Sequence, residues 1–351
     1  MEKSTKLDFT GQNIYVGLDV HKKNWKTSIF TKEFEHKTFT QDPDSQVLVN
    51  YLRRTFPGAT YHAVYEAGYC GFWIYNELRA GGIDCIVVNP ADVPTKDKER
   101  KRKNNRVDAR KLARSLRSGD LEAIYVPTIE AMEDRSLVRS RRTASKEQTR
   151  WKNRIKAMLS LYGIMIPEQF REGNWSGRFI QWLESLSFKR HTGKETLLYY
   201  LEKLKDARKT LVEFNRKIRA LSQEEAYKNM AKNMRSVCGI GLISAMTFLT
   251  ELVDINRFKS LDPLSSYLGL VPSESSSGED DDQNVTGITP RSNRYLRSLL
   301  IECAWVAVRK DPALTMCYQQ LIKRMSAEKA IVRIARKLLN RIRYVLKNNQ
   351  E

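Results

Sequence analysis

Residues 13–20 read NIYVGLDV. Ile14, Val16, Leu18 and Val20 alternate with Tyr15, Gly17 and Asp19, the two-residue period of a strand that turns one face to a core. The opposite face carries an aspartate. A carboxylate inside a strand is disfavoured, and burying one costs free energy unless it has a partner or a task. Asp19 is therefore a candidate functional residue, and its strand is the point from which the rest of the region is read.

After the polar HKKN, the stretches WKTSIF and HKTFT continue as two further strands of a meander. A helix carrying Val47, Leu48, Tyr51 and Leu52 follows, then the strand YHAVYEA and the helix GFWIYNELRAGG closed by its glycines. The strand DCIVVNP and a basic helix around RVDARKLARSLRSG complete the series. Three strands, helix, strand, helix, strand, helix is the order of a ribonuclease-H-like α/β domain, in which the first and fourth strands are neighbours and the last helix crosses beside them. In that topology Asp19, Glu66 at the end of the fourth strand and Asp108 at the start of the last helix converge. Three such acids form a reasonable cage for Mg²⁺ (or Mn²⁺) on a phosphodiester.

The remainder reads as helical. From about Thr128 to Met165 one long basic helix is expected, interrupted from 163 to 194 by a Gly-, Trp- and Pro-bearing stretch. A second long helix follows, with Leu201, Leu204, Leu211 and Ile218 on a heptad ladder that Arg208 interrupts. Such a ladder serves either self-association or a hairpin packed on its own chain. RSVCGIGLISAMTFLTEL, from Arg235, has the form of a helix-hairpin-helix element whose turn amides can hold a phosphate. SLDPLSSYLGL, a serine-rich loop SESSSGEDDDQ, the helix RSNRYLRSLLIECAWVAVRK and a basic carboxy-terminal helix close the chain. The expected fold is α/β plus all-α: a domain over 10–127, a helical coiled-coil linker over 128–232 and a helical domain over 233–351.

Charge narrows the partner class. Across 351 residues, 61 Lys and Arg against 41 Asp and Glu give a net charge of +20, which points to a polyanion. The excess is clustered: 96–117 holds eleven cations against three acids, and 135–156 and 323–347 each hold nine against one. The five cysteines form no CxxC pair and have no histidine at metal-ligand spacing, so they are expected to be buried thiols. The longest apolar runs fall short of a membrane span, and no basic start precedes an apolar amino-terminal core. The expected compartment is the cytoplasm.

YVGLDVHKKNW, VYEAGYCGFWIYNEL, VVNPADVPTK and RVDARKLARSL, followed by CGIGLISAMTFLTEL, YLGLVPSESSSGE and SNRYLRSLLIECAW, closely resemble the DEDD transposases of insertion sequences. These are relatives of the Piv DNA invertase, with a RuvC-like amino-terminal domain and a carboxy-terminal transposase domain. The resemblance implies a recombinase that excises and inserts double-stranded DNA, guided by a structured bridge RNA, and built as dimers that pair into a tetramer. It places the four acids at Asp19, Glu66, position 105 and Asp108, all metal ligands. Position 105 is Asn105 here, which keeps an oxygen ligand but loses the charge. It also places the catalytic serine at Ser277, before Gly278, with Ser275 and Ser276 as alternatives, and implies a composite site in which the serine of one protomer meets the carboxylates of another. Two rival readings stand beside it: a RuvC-type metal-dependent nuclease in which Ser277 is incidental, and a non-catalytic nucleic-acid-binding derivative.

Overall fold

The computed structural model describes residues 7–94, 105–170, 175–271 and 292–350. The chain divides into two compact units, Met1–Val126 and Pro127–Glu351.

The first unit follows the expected element order: β1 (Asn13–Val20), β2 (Trp25–Phe30), β3 (Glu35–Gln41), α1 (Ser45–Thr55), β4 (Thr60–Glu66), α2 (Trp73–Ala80), β5 (Asp84–Val88) and α3 (Asn105–Ser118). The sheet order is β3-β2-β1-β4-β5, with β1 antiparallel to β2 and parallel to β4. This is the ribonuclease-H-like order. The strand period sorts the two faces. Ile14, Val16 and Leu18 of β1, with Ala63 and Tyr65 of β4, join Leu48 and Leu52 of α1 and Ile74 and Leu78 of α2 in one apolar cluster. Val64 and Val88 join Leu112 of α3 in another. Gly17 and Asp19, one residue out of phase with Leu18, therefore share the α3 face, as does Glu66, two residues beyond Val64.

Gly17 explains how α3 comes so close. A Cβ built there would lie 2.2 Å from the Ala109 carbonyl oxygen and 2.4 Å from the Ala113 amide nitrogen, so only glycine admits the helix backbone at this distance. Ala109 and Ala113, both fully buried, keep the helix side of the contact small as well.

The second unit is helical. Its elements are α4 (Ile129–Leu161), α5 (Gly177–Ser185), α6 (His191–Leu221), α7 (Lys228–Met234), α8 (Leu242–Leu252), α9 (Leu261–Leu268), α10 (Arg294–Lys310), α11 (Pro312–Ile322) and α12 (Ala327–Asn348). Thr128 caps α4 by accepting from the Ala131 amide. The heptad ladder of α6 is covered within the chain: Leu201 and Leu204 pack with Ile155, Met158 and Leu159 of α4 and Phe179, Ile180 and Leu183 of α5. Ile218 is fully buried beside Val138, and Leu211 is half-buried. Of the two readings of that ladder, the hairpin holds, and the exposed self-association stripe is corrected. The interruption is also more than a break, because α5 supplies a third wall to the hairpin core.

The glycine turn joins α7 to α8, the helix, turn and helix order that a helix-hairpin-helix element requires. Gly239, at φ +90°, would place a Cβ 2.4 Å from the Cys303 carbonyl, so its smallness is required by α10 of the same chain. Helix α11 separates the two helices expected at the carboxy-terminal end; its local signal is Asp311-Pro312, where Asp311 accepts from the Leu314 amide and proline takes the first turn. All five cysteines are free thiols; Cys85 and Cys303 are buried and the other three only partly so. Burial pushes the Cys85 thiol up to about 12. Among the described residues no helix is long and apolar enough to cross a membrane.

Gly17→Ala is expected to destabilise the chain by roughly 3 kcal/mol, the upper part of the usual range for overpacking, because the obstruction is backbone. A lower urea midpoint at unchanged slope checks this.

Candidate active site and nucleic-acid surfaces

Asp19 is the second-last residue of β1, nearer the strand end than the sequence pattern placed it. Glu66 ends the neighbouring β4, where the parallel register sets Leu18 opposite Tyr65. Asp108 stands in the first turn of α3, immediately before Ala109, which touches Gly17. All three acids line one concavity of about 210 Å³, together with Leu18, Val20, His21, Ala67, Gly68, Tyr69, Cys70 and Leu112. Three elements distant in sequence thus deliver carboxylates to one place.

The donor set is hard oxygen, the kind a Mg²⁺-sized cation prefers. The carboxylates line a cavity wall and do not close on a point: among the described residues no three His, Cys, Asp or Glu side chains are gathered closely enough to hold one ion. Asn105 is the first residue of α3, one turn before Asp108; its side chain lies outside the described residues. His21 was passed over by sequence reasoning. Its Nε2 is 3.2 Å from Asp19 Oδ2. Its signal was its place two residues after the aspartate, where the chain leaves the strand beside the same cavity.

Ser275, Ser276, Ser277 and Gly278 lie outside the described residues. The residues flanking that stretch are tied to one another. The Asn293 amide donates to the Tyr267 carbonyl at 2.8 Å, and Arg297 Nη1 donates to the Gly269 carbonyl at 3.3 Å. Asn293 Nδ2 also donates to Glu251 Oε2 at 2.8 Å. Glu251 is the hub: its side chain is 1% exposed, and Arg139 of α4 grips it with Nε and Nη2 at 2.6 and 2.8 Å. Arg135 donates to the adjacent Thr250 carbonyl at 2.9 Å. Burial would raise the Glu251 pKa, but the Arg139 hydrogen bonds and charge, helped by Asn293 and Arg135, outweigh it and hold the carboxyl below its ordinary value.

The basic blocks divide by role. In the middle block, Arg135, Arg139 and Arg141 are occupied by Thr250, Glu251 and Asn215, and Arg142 lies over the Tyr295 ring. Lys146, Arg150 and Arg154 line an open concavity on α4 of about 590 Å³ with Ser145, Thr149 and Asn153. In the last block, Arg336 pairs with Asp262 and Arg341 with Asp311. Both still line, with Arg333 and Lys337, a concavity of about 510 Å³ floored by Leu261, Leu314 and Cys317. Most of the cationic part of the first block lies outside the described residues.

An α/β unit with this strand order and acids at the ends of β1 and β4 and the start of α3 has the layout of a ribonuclease-H-like carboxylate site. Comparison with known families agrees. Residues 16–164 match the DEDD transposase model of the IS110 type, described as Transposase, and residues 231–319 match Transposase IS116/IS110/IS902 family. A Sinorhizobium fredii protein carrying a transposase name, y4qE, is 35% identical over 241 residues, 69% of this chain. The chain spans 57% of that relative's length. The transposase for insertion sequence element IS1533 of Leptospira borgpetersenii is 27% identical over 71% of this chain and 72% of its own. The transposase for IS1111A of Coxiella burnetii is 24% identical over 75% and 71%. Family models and relatives together support a DEDD transposase of the IS110/IS116 family.

The Glu251 hub yields a pH prediction. Because its folded pKa is depressed, its stabilisation is complete above the ordinary value of 4.5 and is lost as pH falls through the lower folded value. Glu251→Gln is expected to cost roughly 3 kcal/mol at pH 7, the low end for a broken buried pair because Arg139 can still reach water. It should also flatten the acid dependence below pH 4.5. Denaturant titrations across that pH range check both.

Proposed function

We propose that this protein cuts and rejoins DNA strands as the transposase of an insertion sequence, acting through a carboxylate site and a serine nucleophile. The observation that carries the reading is the common cavity of Asp19, Glu66 and Asp108 in a sheet of this order. Their oxygen donors, with Asn105 one turn before Asp108, suit a divalent cation such as Mg²⁺ or Mn²⁺, which they would hold by drawing closer together than they stand here. When bound, it neutralises the phosphodiester and lowers the pKa of a coordinated hydroxyl.

Ser277 is the proposed nucleophile. Its Oγ attacks phosphorus, the P–O bond to one deoxyribose oxygen breaks, and that oxygen leaves with the proton the serine gives up. The phosphoserine ester conserves the energy of the lost bond, so the hydroxyl of a second strand can displace the serine and reseal DNA with no external energy source. Water in place of serine would forfeit that energy, which is why a recombinase gains from a nucleophile of its own. The Glu251 side chain engages Asn293 on the downstream flank of the serine stretch, and its backbone carbonyl accepts from Tyr267 on the upstream flank at 3.5 Å.

A structured bridge RNA as guide, and a homo-oligomer that brings donor and target duplexes together, complete the proposal. The cations that line the concavities of α4 and α12 supply phosphate contacts for either nucleic acid, Arg150 by exchanging its ion-pair partner Glu147 for phosphate.

Incubation with a cognate nicked or synaptic substrate and guide RNA is expected to give a covalent protein–DNA adduct that Ser277→Ala and Asp19→Ala both abolish. An adduct surviving in Ser277→Ala would move the nucleophile to Ser275, Ser276 or elsewhere, and cleavage without any adduct would establish the water-using nuclease instead. For binding, changing Lys146, Arg150 and Arg154 together to Gln should reduce the slope of log affinity against log salt by about 2 to 3, at about 0.7–0.9 per lost phosphate contact. Filter binding across a salt series checks it.

A further inference from the structure

The loop after Glu66 is held firmly yet presents an aromatic ring to solvent. The Ala67 amide donates to the Val88 carbonyl at 2.8 Å, and the Gly71 amide donates to the Gly68 carbonyl at 3.2 Å. The fully buried Tyr65 donates its hydroxyl to the Gly71 carbonyl at 3.0 Å. Gly71 takes φ +62°, a turn that leaves the loop little freedom with any other residue. Tyr69 rides on this pinned loop. Its residue is 62% exposed, although an exposed aromatic ring forfeits the burial that makes aromatics stabilising. It lines the same cavity as Asp19, Glu66 and Asp108. From the β1–β2 turn, Lys22 Nζ stands 5.8 Å from the ring centroid, and Tyr69 Oη reaches the Val20 carbonyl at 3.5 Å.

A rigid aromatic face beside carboxylates, with a cation against it, matches one ligand chemistry. The carboxylates act on a phosphate. The nearest group of a nucleic acid strand that is flat, apolar on its faces and indifferent to sequence is the adjoining base, and such bases stack on exposed aromatic side chains. We propose that Tyr69 is a nucleobase-stacking subsite at the rim of the carboxylate cavity, taking the unpaired base next to the phosphate on which Asp19, Glu66 and Asp108 act, while Lys22 meets the neighbouring phosphate. The proposal rests on the carboxylate cavity being the phosphodiester site. Its consequence is orientational: the ring fixes one nucleotide and thereby presents the adjoining phosphate to the acids. A stacked base contributes about 1–3 kcal/mol whichever base it is, so the subsite aligns a strand without reading it.

The test uses the full chain and single-stranded oligonucleotides carrying 2-aminopurine at each position in turn, whose fluorescence is quenched on stacking. Fe²⁺ with ascorbate and peroxide, placed in the same complex, marks by radical cleavage the nucleotides beside the carboxylates. Wild type and Tyr69→Phe are expected to quench a base within two nucleotides of the Fe²⁺ cuts. Tyr69→Ala should abolish that quenching and weaken binding about tenfold, the effect of one lost stack, with an unchanged circular dichroism spectrum. Lys22→Gln should keep the quenching while lowering the salt slope by about 0.7. Undiminished quenching in Tyr69→Ala, or no quenched position near the cuts in wild type, overturns the subsite alone. Cuts that are absent in wild type, or that persist unchanged in Asp19→Ala, overturn the carboxylate reading and the subsite with it.

Discussion

The amino-terminal unit depends on one close approach: the backbone of α3 lying against Gly17. The Ala109 carbonyl and Ala113 amide occupy the volume a Cβ would need, and the three residues concerned are glycine and alanines. Because the contact is backbone to backbone, it sets the height of α3 above the sheet more tightly than side-chain packing could. Asp108 is the neighbour of Ala109, and Asp19 lies two residues from Gly17 on the same strand face. The contact that seats the helix therefore also seats one carboxylate opposite another. Parallel pairing of β1 with β4 brings in the third, Glu66.

The carboxy-terminal unit has a different organising device. Glu251 is a charge with almost no exposure, and such a group is tolerated only when its oxygens are fully engaged. Arg139 from the long hairpin helix and Asn293 from the cap of α10 engage them. The ion pair carries information about position as well as stability, because it joins three helices at the point where the serine stretch leaves and rejoins the described fold. The same arginine-rich block that composition alone assigns to nucleic acid is thus partly consumed in internal contacts, and the cations presented to a partner are those one, two and three turns beyond Arg142 along α4.

The arrangement of these cations has a physical logic. A cation bound to a buried carboxylate or a carbonyl is a poor counterion for phosphate, since its charge and donors are already committed. Lys146, Arg150 and Arg154 recur at intervals of four on one helix face, which turns a charge run into a stripe able to follow a backbone. Arg333, Lys337 and Arg341 do the same on α12, with Arg336 in the adjoining row, and Arg336 and Arg341 are steadied by acids from other elements.

Much of this could be read from residue order alone. The two-residue period of NIYVGLDV, the glycines after GFWIYNELRA and the arginine-rich repeat of RVDARKLARSLRS are local signals, and each arises from backbone geometry that acts within a few residues. They were sufficient to name the strands, the helices and the three acids. Tertiary structure alone decided what those signals serve. The leucine ladder of α6 looks the same whether its partner is another chain or its own, and only the folded hairpin shows that α4 and α5 cover it. Glu251 and Arg139 lie 112 positions apart, so no local pattern could pair them. His21 and Tyr69 belong to the acid cavity because of where β1 and β4 end in space, a consequence of strand register that sequence spacing does not carry.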